Sequence, residues 1–177
     1  YPGAAICPFY DALLDAENDI RQVLVRQEAN GGHAANGYAR ISGKPAVCIA
    51  TSGPGATNLI TAIATAYADS IPIVCITGQV NTDQIGSDVF QEADITGSAE
   101  PFVKHSYLLK NPEDTARVFK EAFYIAGTGR PGPVLIDIPM DVQKAVIDFE
   151  YPEKCEIRSY KPTTKGNYVQ VRRVMAA

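Results

Sequence analysis

The chain has 177 residues, 46% hydrophobic and 20% charged, which is enough apolar material for one domain with a real core plus a tail. Its formal net charge is −4, and its Lys and Arg residues are scattered without a basic stripe, which argues against a nucleic-acid partner. No apolar run reaches the ~18 residues of a membrane span and no signal peptide is visible, so the expectation is a cytoplasmic protein that does not bind a membrane.

The chain opens at Tyr1, Pro2 and Gly3 with no initiator Met, and reads as a piece of something longer. Residues 22–26, with Val23, Leu24 and Val25 at their centre, predict a first strand. Residues 29–41 are rich in Ala and predict a helix. Residues 46–51 predict a second strand, and residues 56–68, with Leu59, Ile60 and Ile63 as larger apolar groups, a second helix. Residues 72–77 predict a third strand. A polar stretch from Gly78 to Gly97 follows, too long for a routine connection, and such loops are often functional. Residues 106–109 predict a weaker strand. The next helix is the clearest: Asn111 as N-cap, Pro112 at the first position, Glu113 and Asp114 at the positive end of the dipole. Phe119, Ala122, Phe123 and Ala126 then repeat at helical spacing, and Gly127 is the predicted C-cap. Residues 133–138 predict the last strand.

The strong strands are apolar nearly throughout, so both faces should be covered, as in a parallel sheet. Strands alternating with helices predict an α/β fold: a three-layer, doubly wound domain with a mostly parallel sheet and helices on both faces. We place this domain at 1–147. Residues 148–166 are charged and contain Pro, and predict a linker. Residues 167–177 predict the start of a truncated following domain. There Tyr168, Val169, Val171, Val174 and Met175 look like the first turns of an amphipathic helix, and about ten residues are too few for a helix to stand alone.

Several chemistries are disfavoured. Cys7, Cys48, Cys75 and Cys155 form no C-x-x-C pair, and no metal site is expected. Cys48 and Cys75 lie in apolar runs and read as small buried hydrophobes. His33 and His105 have no ligand partner at metal spacing. Ser52 lies in S-G-P-G, not in the G-x-S-x-G of a hydrolase elbow.

Three segments sit where ligands bind in open parallel sheets, beyond the carboxyl ends of strands. Glu28 opens the first helix, where an acid also serves simply to complement the helix dipole. Residues 51–58 (T-S-G-P-G-A-T-N) carry two glycines that permit close backbone approach, but match neither a Walker loop nor G-x-G-x-x-G, and also suit an ordinary tight turn. Residues 86–92 carry Phe90 and Gln91, which could line a pocket, or Phe90 could anchor the loop to the core.

Taken in order, Y-P-G at 1–3, R-Q-E-A-N-G-G-H-A-A-N-G-Y-A-R at 26–40, T-S-G-P-G-A-T-N at 51–58, S-I-P-I-V-C-I-T-G-Q-V at 70–80, F-Q-E-A-D-I at 90–95 and G-R-P-G-P-V-L-I-D-I-P at 129–139 resemble the large subunit of acetolactate synthase. The resemblance runs from Tyr1 to about Val142, then weakly through the linker. It implies the N-terminal, pyrimidine-binding domain of a three-domain thiamine-diphosphate enzyme that condenses two pyruvates, or pyruvate and 2-oxobutyrate, in branched-chain amino-acid biosynthesis. It implies Glu28 as the catalytic residue at N1′ of the aminopyrimidine, where apolar neighbours would raise its pKa and help a shared proton. It further implies that Pro2, Gly3, Thr51, Pro54 and Asn58 surround the pyrimidine, and that Phe90 and Gln91 face the 2-oxoacid substrate.

The resemblance also implies Mg²⁺ and FAD, bound mainly by domains absent from this chain, whose G-D-G and N-N motif is missing. A homodimer or higher homo-oligomer and a regulatory small subunit are the partners it suggests. The fragment alone is expected to be inactive. One departure stands out: the family's lysine after D-I-P is Met140 here. That keeps open a pyruvate oxidase, carboligase or oxoacid decarboxylase. A non-catalytic α/β interaction module is the alternative of another class, and would show Glu28 pointing into solvent.

Overall fold

The computed structural model describes residues 2–16 and 19–177. Four strands form one sheet: β1 (Ala46–Ala50), β2 (Ile73–Gln79), β3 (His105–Leu108) and β4 (Val134–Pro139). Their order is β1-β2-β4-β3 and every pairing is parallel. All residues of the two central strands, β2 and β4, are buried, as a sheet covered on both faces requires.

Helices supply the two covers. On one face lie α2 (Glu28–Ser42), α4 (Ile60–Ala68) and α5 (Ile95–Ala99), packing Ala35, Ala39, Leu59, Ile63, Ala66 and Ile95 against Ile73, Cys75 and Leu135. On the other lie α1 (Cys7–Asp15), α6 (Thr115–Gly127) and α7 (Met140–Gln143). There Val118, Ala122, Ile125 and Val142 pack against Val74, Val134 and Ile136. The predicted three-layer arrangement with a parallel sheet is therefore present, and Cys48 and Cys75 are buried within it, as their apolar runs predicted.

The predicted strand at 22–26 is not there. Residues 21–25 adopt no regular structure, and Val23 and Leu24 are 71% and 76% exposed. Strand propensity is fit to a pleated, half-buried surface, and this run has no ladder neighbour or covering layer. The predicted helix at 56–68 is two: α3 (Pro54–Thr57) and α4, separated by Asn58 and Leu59. The Asn111 helix begins one turn late. Asn111 caps a 3₁₀ turn over Pro112–Asp114, and the α-helix starts at Thr115. Gly127 is its last residue, with Thr128 as the cap, so Gly127 is not a left-handed C-cap. Of its predicted apolar stripe, Ala122 and Ala126 are buried but Phe123 is exposed.

Two glycines set the spacing that matters for the site. A Cβ on Gly32 of α2 would come within 2.5 Å of Ala62 Cβ, so its absence lets α2 lie close on α4. A Cβ on Gly78 of β2 would collide with the carbonyl oxygen of Ala5. The 3₁₀ turn Ala4–Ile6 can therefore rest directly on the central strand, which brings Gly3 to the carboxyl end of the sheet.

Residues 148–166 hold no helix or strand, but they do not simply leave the domain. Ile157 and Tyr160 pack back on the α6 side, and the Tyr160 hydroxyl donates to Thr128 O at 2.8 Å. Beyond them α8 (Tyr168–Met175) is capped by the Asn167 side chain and buries no residue, so its apolar residues stand exposed.

Candidate functional site

The carboxyl ends of β1, β2 and β4 carry the segments that matter. β1 runs into residues 51–58. β2 runs into a loop from 80 to 94. β4 runs into α7. Glu28 arrives from the first turn of α2, which begins there because the Gln27 side chain accepts from Asn30 N at 3.0 Å.

Glu28 does not point into solvent. It is 8% exposed, and Asn58 Nδ2 donates to its Oε2 at 3.0 Å. Its Oε1 stands on the Gly55 side, 3.7 Å from where a Cβ on that glycine would lie, and the same Cβ would meet Thr51 Cγ2 at 2.7 Å. A Cβ on Gly3 would fall 2.6 Å from Thr51 Oγ1. Gly3, Glu28, Thr51 and Asn58 are thus gathered at one spot. Among the described residues the Thr51 hydroxyl, buried there, has no hydrogen-bond partner, an arrangement that costs free energy unless something satisfies it. Pro54 sits exposed at the first position of α3, and Pro2 is exposed as well.

The expected rise in the Glu28 pKa is not what the geometry gives. Burial pushes the carboxyl up. Hydrogen bonds from Asn58 and from its own backbone N–H, aided by favourable charge, pull it below its ordinary value. Glu28 is therefore ionised at neutral pH, because a charged carboxylate is the form these donors favour.

Phe90 and Gln91 lie on the loop that closes over the turn. Phe90 is 88% exposed, so it does not anchor the loop to the core. Gln91 holds φ at 59°, and its backbone presses on Gly53: a Cβ there would be 2.7 Å from Gln91 O. Gly53 itself has φ 57° and ψ −123°, a region open in practice only to glycine. Within the loop, the Glu92 carboxylate accepts from Gly86 N and from Val89 N, and those backbone donors hold it below the usual carboxylate range.

Sequence reasoning missed the polar groups beneath this loop. Thr77, Gln79 and Asp137 are buried in the central strands. Thr77 Oγ1 donates to Asp137 Oδ1 at 2.6 Å, and Gln79 Nε2 donates to Asp137 Oδ2 at 2.8 Å and to Ala93 O at 2.9 Å. Burial raises Asp137 to about 7 despite the two hydrogen bonds. Further along, Asp141 accepts from Thr82 N at 3.1 Å and from Thr82 Oγ1 at 2.5 Å. The available signal was polar residues inside strands otherwise apolar throughout, since such groups are buried only with partners.

Residues 1–98 match the family described as "Thiamine pyrophosphate enzyme, N-terminal TPP binding domain". The chain belongs to this family. Among relatives, it is 53% identical over 171 residues to the acetolactate synthase large subunit IlvB1 of Mycobacterium tuberculosis, covering 97% of this chain and 28% of that protein. It is 52% identical over 176 residues to a probable acetolactate synthase large subunit of Methanocaldococcus jannaschii, covering 98% of this chain and 29% of the other. For the acetolactate synthase large subunit of Corynebacterium glutamicum the figures are 52% over 170 residues, 96% and 27%. The chain therefore spans less than a third of the length of these curated relatives, and what it shares with them is the N-terminal part of a thiamine-pyrophosphate enzyme. Among the described residues no cluster of three or more His, Cys, Asp and Glu could hold a metal ion, and no helix is long and apolar enough to cross a membrane.

Proposed function

We propose that this chain is the pyrimidine-binding part of an acetolactate synthase, with Glu28 as its catalytic residue. The observation that carries the reading is the meeting of a buried, ionised carboxylate with an orphaned hydroxyl at the carboxyl end of a parallel sheet. The residues suit a planar nitrogen heterocycle: Gly3 and Gly55 let Thr51 close directly on the backbone beside Glu28, and Thr51 Oγ1 offers an unused hydrogen-bonding atom. Pro2, Pro54 and Asn58 complete the set. Phe90 and Gln91 face the 2-oxoacid.

Bound there, thiamine diphosphate would supply the electron sink for decarboxylating one 2-oxoacid and joining it to a second. The chain's own task is narrower. Asn58 orients the Glu28 carboxylate through Oε2. Held ionised, Glu28 accepts the hydrogen bond of a protonated ring nitrogen and keeps that proton in place. The closely packed turn leaves the carboxylate little contact with water.

The division into a domain at 1–147, a linker at 148–166 and the start of another domain at 167–177 belongs to the same proposal. So do Mg²⁺ and FAD held mainly by other domains, a homodimer or higher homo-oligomer, a regulatory small subunit and a cytoplasmic location. Met140, where the resemblance expects lysine, favours a second reading in which the enzyme handles a different 2-oxoacid reaction.

Glu28→Gln in the complete protein tests the role of the residue. Acetolactate formation should fall by roughly 100-fold or more, the scale of lost acid–base help. Unchanged turnover would refute it. Wild-type protein that consumes pyruvate but yields acetate or acetaldehyde instead would favour the second reading.

A further inference from the structure

The loop from 80 to 94 is an improbable conformation. Gly86, Asp88 and Gln91 all have left-handed φ, at 84°, 54° and 59°, and two of the three are not glycine. Such residues persist only where the surroundings over-determine them. Phe90 is turned to solvent and does not anchor the loop, and Ile85 and Val89 are only half-buried. Hydrogen bonds add to these contacts in fixing the loop against Gly53.

Two hydrogen-bonded attachments stand at its ends. At the near end, Asp141 at the start of α7 takes both the backbone N–H and the hydroxyl of Thr82. At the far end, the Gln79 amide spends every polar atom it has. Oε1 accepts from Val80 N at 2.9 Å, and Nε2 donates to Asp137 Oδ2 and to Ala93 O. Ala93 immediately follows Glu92, whose carboxylate clamps Gly86 and Val89, so a tie at Ala93 holds the whole clamped unit. Asp137 is 1% exposed and is fixed in turn by Thr77 from the neighbouring strand.

We propose that Gln79 is a positioning residue: braced by Asp137 on the central strands, it ties the loop at Ala93 and so sets where Phe90 and Gln91 stand against the Gly53 turn. Gln79 bonds to Val80, Asp137 and Ala93, and so acts through the loop backbone. This placement rests on the proposed function for its consequence in catalysis, but not for its consequence in the loop itself.

The test compares Gln79→Leu, Gln79→Asn and Asp137→Asn in the complete protein. Leucine fills the space without donors. Asparagine keeps an amide too short to span Asp137 and Ala93 together. Asp137→Asn is the conservative control, because its carbonyl can still accept from Gln79 while its amide turns to the Thr77 hydroxyl. Amide hydrogen exchange read by mass spectrometry should show residues 86–92 exchanging roughly tenfold faster in both Gln79 variants, the scale of one lost hydrogen bond. Exchange in β2 and β4 should stay near wild type, and Asp137→Asn should leave the loop protected. Turnover should fall in the Gln79 variants more than the half-saturating thiamine diphosphate concentration changes.

Loop exchange unchanged in Gln79→Asn overturns the proposal, whatever happens to activity. Should leucine unfold the chain, the asparagine variant still decides. If the loop loosens as expected but Glu28→Gln leaves turnover intact, the positioning role stands and the catalytic reading falls.

Discussion

The two backbone segments that meet at Gly53 and Gln91 are held by opposite means. The turn at 51–58 is fixed by what it lacks. Gly53 and Gly55 have no side chains, so Gln91 and Thr51 close directly on the backbone. The loop at 80–94 is fixed by what it has: side-chain carboxylates and an amide that take up its backbone groups at Thr82, Gly86, Val89 and Ala93. The first kind of fixation is steric, and any added atom breaks it. The second is electrostatic and responds to the loss of a donor or to pH. The turn should therefore fail abruptly on substitution, and the loop by degrees.

Gly53→Ala is the sharpest way to break the steric side. The methyl group would enter a backbone region closed to alanine and lie 2.7 Å from Gln91 O. We expect a loss of about 3 kcal/mol in unfolding free energy, the combined scale of backbone strain and overpacking, measured by urea titration. A loss below about 1 kcal/mol would mean that the turn yields more easily than its packing suggests.

The contrast also explains what could be read in advance. The glycine turn was legible as a turn, since two glycines around a proline between a strand and a helix suit a tight connection. The sheet was legible for the same reason: β2 and β4 are continuous apolar runs, and only burial on both faces accommodates them. Residues 22–26 misled because Val23, Leu24 and Val25 carry the same apolar signature as β1, whereas a strand also needs a neighbour, which no five-residue window contains. The position of Glu28 at a helix start was legible, but the direction of its pKa was not. That sign comes from hydrogen bonds and favourable charge that outweigh burial, among them Asn58, thirty positions along the chain, donating to the carboxylate. The loop's fixation stayed hidden because Gln79, Ala93 and Asp137 come together only through strand pairing.

The electrostatic side can be sharpened with pH. Asp137 is raised in the folded chain to about 7, from an ordinary value of 3.8, by burial foremost. A folded-state pKa above the unfolded one means that the folded chain binds the proton more tightly. The stabilisation is then complete below about pH 4 and is lost as pH rises through about 7. Glu28 and Asp141 run the other way. Their folded values lie below the ordinary ones, so their stabilisation is present at neutral pH and lost on acidification. Asp137→Asn should remove the decline between about pH 4 and 7 while leaving the acid limb set by Glu28 and Asp141. Thermal unfolding midpoints across that range measure it, and an unchanged slope in the variant would assign the decline to other groups.

The smallest effect separates fold from site. Thr51→Val replaces a hydroxyl that is buried and unpartnered with a methyl of nearly the same size. If the hydroxyl served the fold, its loss would destabilise; with no protein partner, removing it should leave stability unchanged or raise it by up to about 1 kcal/mol. Binding should respond differently. A hydroxyl kept ready for a ligand contributes one hydrogen bond, so half-saturation by thiamine diphosphate in the complete protein should shift about three- to tenfold upward. Stability held and affinity reduced would place Thr51 in the cofactor's surroundings. A lower unfolding midpoint with unchanged affinity would make it a structural residue of the turn, and the steric account of residues 51–58 would then need a hydrogen bond as well.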